Sequence, residues 1–256
     1  MTVTLKRSKD RKVTNLVSPN GKTANGANSF GLPSGKAFSC PGATSVCESV
    51  CYAGKLEVLF KGVKNILMHN WDALQNQSIA GMYDMLNAMI AEFRAETDKA
   101  IAKGKDATYD FRIHWDGDFF STDYAIAWSE VIADNPDIRF WVYTRSFDDA
   151  TLNVLPIFDV MENRDNLSLF LSVDRANMEA AKTARKVYKW TKWAFLSDTF
   201  AEGREEMDNE GIEGKRYNCP EIGGRIEMIS PKGSACVRCN LCPSGKGDIV
   251  FAISKK

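Results

Sequence analysis

Three closely spaced cysteines constrain this chain more than any other feature of its sequence. Cys236, Cys239 and Cys242 form a C-x2-C-x2-C run, and Cys219 lies upstream of them. Thiolates at this spacing on a turning loop can converge on one metal ion or cluster. The spacing therefore predicts a metal centre in the C-terminal part of the chain, and buried structural thiols are the alternative interpretation.

Two properties of the cysteines bear on the identity of the metal. Three ligands so close together crowd a tetrahedron around one zinc ion, whereas they fit the corners of a cubane cluster. Proline directly follows Cys40, Cys219 and Cys242. A Cys-Pro pair also ends the cluster-binding run of bacterial ferredoxins. We therefore expect one or two 4Fe–4S clusters, which also occur in a 3Fe–4S form, with zinc as the alternative cofactor.

A second cysteine group near the N-terminus consists of Cys40, Cys47 and Cys51, in a looser C-x6-C-x3-C pattern. Three thiolates without a fourth ligand leave one iron of a cluster open to a substrate. With seven cysteines in the chain, two arrangements are consistent with the sequence. Either a four-cysteine centre and an open three-cysteine centre form separately, or one composite centre draws its ligands from both ends of the chain.

The composition is that of an ordinary globular chain and limits its partners. The 256 residues include 33 basic and 33 acidic side chains, so no net charge attracts nucleic acid or an anionic membrane. No apolar run is long enough to span a bilayer, and the stretch MTVTLKRSKDRK lacks the apolar core of a signal peptide. We therefore expect a cytoplasmic protein with reduced thiols that acts on a small-molecule substrate and has no membrane or nucleic acid partner.

Strand and helix patterns alternate through the middle of the chain. The strand patterns are ATYDFRIHW, IRFWVYT, LSLFLSVD and KWAFLSD, and the helix patterns between and after them are STDYAIAWSEVIAD, FDDATLNVLPIFDVM, MEAAKTARKVYK and FAEGREEMDN. Two further helices are predicted upstream, in VKNILMHNWDALQNQ and MYDMLNAMIAEFRAETDKAIAKG, and two less certain strands downstream, in GRIEMIS and DIVFAIS. This alternation predicts an α/β fold with a mostly parallel sheet.

Two architectures fit this order of elements, an α/β layer sheet and an incomplete β/α barrel, and we expect a partial or distorted β/α barrel. We expect an irregular N-terminal extension over 1–36, rich in Gly, Asn, Ser and Lys. A barrel-like core that includes the first cysteine loop is expected over 37–218. A cysteine-rich segment over 219–256 is expected to pack on that core, so that the two cysteine groups meet at one rim of the barrel.

Polar residues follow each of the four clear strands at its carboxyl end, where ligands of parallel α/β sheets bind. Helix N-caps are the alternative role for such residues. Along the first strand, Asp110, Arg112 and His114 alternate with apolar residues and therefore share one face. The candidate catalytic residues at these strand ends are Arg112, His114, Asp116, Asp118, Arg145, Asp174 and Arg175.

Five motifs, in this order, resemble those of the actinobacteriophage gene-product-88 family: SCPGATSVCESVCYAG, HWDGDFFSTDYAIAW, FWVYTRS, LSVDR and CVRCNLC. The resemblance extends from about Thr23 over nearly the whole chain. It implies a phage-encoded protein that works in the host cytoplasm and binds an iron–sulfur cluster through its cysteines. A weaker resemblance is to radical S-adenosylmethionine proteins, from which the cysteine spacing of this chain departs.

The residues predict an enzyme in which the open iron of a 4Fe–4S cluster acts as a Lewis acid on a small amino acid or hydroxy acid. The expected reaction is of the lyase type, with removal of sulfide or of water. Arg145 or Arg175 would hold the substrate carboxylate, and His114 or Asp116 would move a proton. The alternatives are an enzyme similar to the radical S-adenosylmethionine proteins and a non-catalytic interaction protein with a structural zinc or iron–sulfur site.

Overall fold

The computed structural model describes residues 3–147, 161 and 164–254. Four helices precede the first strand: α1 (Ser45–Val50), α2 (Tyr52–Leu59), α3 (Lys61–Leu74) and α4 (Ile79–Ala102). The later helices are α5 (Thr122–Asp134), α6 (Met178–Val187), α7 (Phe200–Asn209) and α8 (Ala235–Cys239). None of the helices in these described ranges is long and apolar enough to cross a membrane.

The strands are β1 (Asp110–Arg112), β2 (Arg139–Thr144), β3 (Leu167–Val173), β4 (Lys192–Ser197), β5 (Arg216–Asn218), β6 (Ile229–Ser230), β7 (Gly233–Ser234) and β8 (Asp248–Ala252). Six of them form one parallel sheet in the order β1-β2-β3-β4-β8-β5, and β6 pairs with β7 in a short antiparallel ladder. Within the described ranges no pairing joins β5 to β1, so the sheet is open and the expected barrel is not shown.

Side-chain alternation divides the sheet into two faces with different coverings. On one face, β-strand residues such as Phe140, Leu169 and Phe195 pack in the main core against apolar residues of α4 to α7. On the other face, Trp141, Phe170, Ala194 and Ile249 form a smaller cluster with Cys242. Helices α4 to α7 therefore cover one side of the sheet, while the cysteine-bearing segments, with their short helices, cover the other.

Helix α4 illustrates how the sequence sets up the helical layer. Ser78 caps its N-terminus by accepting a hydrogen bond from the Gly81 amide at 3.2 Å. Apolar residues recur every three or four positions and form a single buried stripe that packs toward α5 and the sheet: Met82, Leu86, Met89, Ile90 and Phe93.

The N-terminal segment is more closely integrated than an irregular extension would be. Residues 28–32 run parallel to β1 and its continuation, with the Phe30 amide donating to the Arg112 carbonyl at 3.1 Å and the Leu32 amide to the Asp116 carbonyl at 3.0 Å. Phe30 and Leu32 are fully buried in the main core. This segment therefore covers the β1 edge of the sheet, because its backbone satisfies the hydrogen-bonding groups of that edge.

Most of the predicted elements are confirmed, with two differences. The strand predicted in ATYDFRIHW is only three residues long, since the chain leaves the extended conformation at His114, where φ is 53°. The GRIEMIS pattern gives only the two-residue β6, whereas DIVFAIS gives β8 within the main sheet. Most of the helix predicted in FDDATLNVLPIFDVM lies outside the described residues.

Candidate functional site

A cavity of about 350 Å³ lies on the face of the sheet opposite helices α4 to α7, and all seven cysteines of the chain line it. Its floor includes alternate residues of the central strands, among them Tyr143, Ala194 and Phe251. Five of the predicted catalytic residues also line it: Arg112, His114, Asp116, Asp118 and Arg145. The fold thus brings both cysteine groups and the ends of β1 and β2 to one cavity.

The C-terminal cysteines are positioned by backbone contacts on two sides of the cavity. Cys219 follows β5, and its amide donates to the Val250 carbonyl at 2.9 Å. Cys236 and Cys239 lie on α8, which ends at Asn240 in a left-handed conformation with φ of 54°. This reversal turns the chain back, so that Cys242 lies buried against the floor of the cavity.

The C-terminal thiols lie close enough together to raise one another's pKa values. Burial, together with the negative charges that Cys219 and Cys239 would carry as thiolates, raises the pKa of Cys242 to about 12. Burial and the neighbouring Cys242 also raise the pKa of Cys236. Without a compensating cation these groups therefore remain neutral thiols at neutral pH.

The N-terminal cysteines lie on a loop that two short helices hold in place. Thr44 caps α1, and its hydroxyl accepts a hydrogen bond from the Cys47 amide at 3.0 Å. The sulfur of Cys51 caps α2 by accepting from the Gly54 amide at 3.3 Å. Burial raises the pKa of Cys47, while the positive charge of Arg145 opposes that shift.

The seven cysteines are free thiols that form two groups around the cavity. A negative charge on Cys51 raises the pKa of Cys47, whereas negative charges on Cys219 and Cys239 raise the pKa of Cys242. In the ranges that the structure describes, no three His, Cys, Asp or Glu side chains are close enough to hold one metal ion as they stand. The thiols share a cavity, and side-chain rearrangement is required before three of them can share a metal.

A cationic cluster lies beside Tyr52, between the cysteine groups. Arg112 donates to Asp10 at 3.0 Å and to the Tyr52 hydroxyl at 3.4 Å, and its guanidinium lies over the Tyr143 ring. Lys12 lies 5.9 Å from the centre of the Tyr52 ring. Both cations also line the cavity, and each is paired with a carboxylate, so the wall next to the thiols holds ion pairs.

Lys12 belongs to the N-terminal segment, which the sequence patterns did not connect with the site. Its ammonium pairs with Glu221 at 2.9 Å, and its carbonyl accepts from the Cys236 amide at 2.8 Å. These contacts tie the segment to the C-terminal cysteine group. No motif surrounds Lys12 that could have indicated this role.

His114 is a buried neutral imidazole in a strained backbone conformation. Its φ of 53° lies in the left-handed region, which non-glycine residues seldom adopt. Its Nε2 is 2.9 Å from the Tyr124 hydroxyl, and its Nδ1 has no hydrogen-bond partner. Burial, with a contribution from the Arg112 charge, lowers the pKa of His114 to about 3.

Asp116 forms a carboxyl pair with Glu57 of α2. Burial and the negative charge of Glu57 raise the pKa of Asp116 to about 8. Its Oδ1 accepts from the Gly117 amide at 2.9 Å, while Oδ2 has no partner. Glu57 also accepts from the amide and the hydroxyl of Ser34. Sequence patterns did not single out Glu57, because α2 and the end of β1 are far apart in the chain.

The ends of β2 and β3 are joined to the N-terminal cysteine loop by buried polar contacts. Asp118 accepts from the Thr144 hydroxyl at 2.6 Å and from the Arg145 amide at 2.7 Å. Burial nevertheless raises the pKa of Asp118 to about 6. Asp174 accepts from Arg145 at 2.7 Å and from the Thr44 hydroxyl at 2.6 Å. Arg145 and Asp174 therefore anchor the loop to the sheet.

Arg175 lies apart from the other predicted site residues. Its side chain is 58% exposed, pairs with Glu206 and Asp198, and does not line the cavity. The reason is local: β3 ends at Val173, and Asp174 turns toward Arg145 while the next residue points toward α7. The cavity cations are instead Arg112, Arg145 and Lys12.

Comparison with known proteins gives the family of the chain. A family model described as Gene product 88 matches residues 3–245. The Gene 88 protein of Mycobacterium phage L5 is 42% identical over 255 residues, which is 98% of this chain and 99% of the phage protein. The Gene 88 protein of Mycobacterium phage D29 is 42% identical over 256 residues, with 98% and 99% covered.

These names state no cofactor, reaction or substrate. No solved structure matches the chain. The family model and the two phage proteins each match nearly the whole sequence, and the range that the family model matches contains both cysteine groups. The chain therefore belongs to the Gene product 88 family of bacteriophage proteins.

Proposed function

We propose that this protein binds an iron–sulfur cluster in the cysteine-lined cavity and acts as a lyase on a small amino acid or hydroxy acid. One observation carries the proposal: seven free thiols from both ends of the chain border a single cavity of about 350 Å³. A purely structural role for the thiols gives no reason for all of them to meet at one cavity next to buried titratable groups.

The chemistry of the donor set fits a thiolate-bound metal. Burial raises the pKa values of Cys219, Cys236 and Cys242, so the thiolate forms are costly in the protein alone. A bound cation offsets that cost, and the free energy of ligation then contributes to folding. We assign Cys219, Cys236, Cys239 and Cys242 to one centre, because the pKa of Cys242 is coupled to the other thiols of its own group.

The N-terminal group supplies the proposed reactive position. Cys40, Cys47 and Cys51 would hold a 4Fe–4S cluster through three thiolates. When bound in this way, the cluster supplies an open iron that polarises a leaving group as a Lewis acid. Burial raises the pKa of Cys47 and the charge of Arg145 opposes that rise, while Lys12 and Arg112, each paired with a carboxylate, also line the cavity.

The remaining roles fall to residues of the cavity wall. Arg112 is positioned to bind an anionic substrate group, since its Nε has no partner. His114 and Asp116 are the candidates for proton transfer, and both line the cavity. Arg145 is committed to Asp174, so we assign it the positioning of the cysteine loop in place of substrate binding.

The proposal is tested by anaerobic purification followed by measurement of iron, acid-labile sulfide and visible absorbance. We expect iron and sulfide in comparable amounts and a brown protein. Serine variants of the C-terminal group, such as Cys239→Ser, should lose metal and melt at a lower temperature, because ligation stabilises the fold. Variants of the N-terminal group, such as Cys47→Ser, should lose only the reactive cluster. Thr199→Val, which removes the cap of α7 at a residue that does not line the cavity, is the control.

A structural zinc site is the second candidate function. Two contacts support it, because they join the C-terminal cysteine segment to the N-terminal segment. They are the Lys12–Glu221 ion pair and the hydrogen bond from the Cys236 amide to the Lys12 carbonyl. A colourless protein with stoichiometric zinc, whose loss unfolds the chain, would favour this candidate. Iron and sulfide in the purified protein would favour the cluster.

A further inference from the structure

The residues at the end of β1 and just beyond it form one wall of the cavity, and four of them carry a buried polar atom without a hydrogen-bond partner. We call these four residues the row: Arg112 with its Nε, His114 with its Nδ1, Trp115 with its Nε1 and Asp116 with its Oδ2. Buried polar groups in folded proteins are almost always satisfied, so four such atoms on one wall call for a further partner.

The two ends of this row carry opposite charge. At one end, Arg112 is held by Asp10 and lies 3.4 Å from the Tyr52 hydroxyl. At the other end, the carboxyl groups of Asp116 and Glu57 lie close enough for Glu57 to disfavour the charge of Asp116. The Tyr52 hydroxyl donates to the Trp115 carbonyl at 3.0 Å, which connects the two ends.

We propose that this row binds a free α-amino acid, with its carboxylate at Arg112 and its ammonium at Asp116 and Glu57. The proposal rests on the proposed function, and it selects the amino acid from the two substrate classes named there. A hydroxy acid satisfies the Arg112 end but brings no cation to the acidic end. An amine without a carboxylate satisfies only the acidic end.

The ammonium supplies the positive charge that the carboxyl pair lacks. Burial and the negative charge of Glu57 favour the protonated form of Asp116 while the row is unoccupied, and a bound cation offsets both effects. Asp116 is thereby assigned to substrate binding. His114 remains as the titratable group of the row that is available for proton transfer.

Three matched probes test the inference by calorimetry on the anaerobically purified full chain. The probes are L-serine, 3-hydroxypropionate, which lacks the ammonium, and ethanolamine, which lacks the carboxylate. Serine avoids the free thiol of cysteine, which would bind iron directly. We expect serine to bind about 10-fold or more tightly than either analogue, since each analogue loses a charge-assisted contact.

Variants assign each contact to its residue. Asp116→Asn should abolish the preference for serine over 3-hydroxypropionate and keep the preference over ethanolamine. Arg112→Gln should show the reverse pattern. Should that variant not fold, Arg112→Lys, which keeps the charge beside Asp10 but loses the two-point contact of the guanidinium, should narrow the preference for serine over ethanolamine without abolishing it. Arg175→Gln is the control, because this exposed arginine lies outside the cavity.

The outcomes separate this inference from the proposed function. The inference is overturned if serine does not bind, or if it binds no more tightly than its two analogues. This holds whatever the iron content of the protein. The inference is supported if serine binds selectively, if Arg175→Gln leaves that selectivity unchanged and if Asp116→Asn removes it. If that selectivity occurs in protein that contains no iron, the amino acid site stands and the iron–sulfur function is overturned.

Discussion

Arg145 and Asp174 form a buried ion pair between the ends of β2 and β3, with 2.7 Å between Nη1 and Oδ2. The two side chains are 8% and 1% exposed. The same carboxylate oxygen accepts a hydrogen bond from Thr44, the cap of the first cysteine helix. The pair therefore connects the strand ends to the loop that carries three of the seven thiols.

Asp174→Asn should destabilise the protein strongly. The substitution keeps the shape of the side chain but leaves the Arg145 charge buried without its partner. We expect a loss of about 3–5 kcal/mol in the free energy of unfolding, measured by denaturant titration. Asp137→Asn is the control, since Asp137 pairs with Arg94 at the surface with 49% of its side chain exposed. A surface pair contributes less than about 1 kcal/mol, so equal losses in the two variants would contradict the prediction.

Thr44→Val should loosen the cysteine loop. The valine keeps the volume of the side chain but removes the hydroxyl that joins the Cys47 amide to Asp174. We expect a loss of about 1–2 kcal/mol and weaker metal retention by the N-terminal cysteines, with the C-terminal group unchanged. Thr199→Val removes the corresponding cap of α7, at a residue that does not line the cavity. It should cost about 1 kcal/mol without changing the metal content. Equal metal loss in both variants would show that the effect is not local to Thr44.

Gly42→Ala should disturb the contact between the cysteine loop and β2. A Cβ atom at this position would lie 2.3 Å from the carbonyl oxygen of Arg145, and backbone atoms cannot move aside as a flexible side chain can. We expect a lower melting temperature and reduced metal retention. In Gly62→Ala the added Cβ has no atom within 4 Å, and the helical position in α3 favours alanine. That variant should gain about 1 kcal/mol. A neutral Gly42→Ala would mean that the loop does not depend on this close approach.

Asp116→Asn should alter the pH dependence of stability in the metal-free protein. The pKa of Asp116 is raised to about 8 in the folded state. The folded protein therefore holds this proton more tightly than the unfolded chain, in which the pKa is about 3.9. The contribution of Asp116 to stability is complete below about pH 4 and is lost as the pH rises toward about 8.

The asparagine variant lacks this titration. We therefore expect its melting temperature to exceed that of the wild type at pH 8, by the equivalent of about 1–3 kcal/mol, and the advantage to shrink toward pH 4. The measurement is thermal unfolding of both proteins across this pH range. A difference between them that is independent of pH would exclude Asp116 as the titrating group.

Local patterns in the sequence were sufficient to predict much of the fold and part of the site. Periodicity predicted the helices that became α3 to α7 and the central parallel strands, because burial on one face leaves a regular spacing of apolar residues. Alternation along β1 placed Arg112 and His114 on one face, and both line the cavity. The cysteine spacing identified two groups, and the order of elements led to the expectation that they meet.

Only the tertiary structure decided which distant residues share the cavity. Lys12 and Glu57 have no motif around them, and their contacts with Cys236 and Asp116 arise from the path of the chain between remote segments. Arg175 follows Asp174 in sequence but points to α7, since neighbouring residues at a strand end need not share a direction. Periodicity and spacing are properties of neighbouring residues, whereas burial, ion pairing and pKa depend on what the folded chain places beside each group.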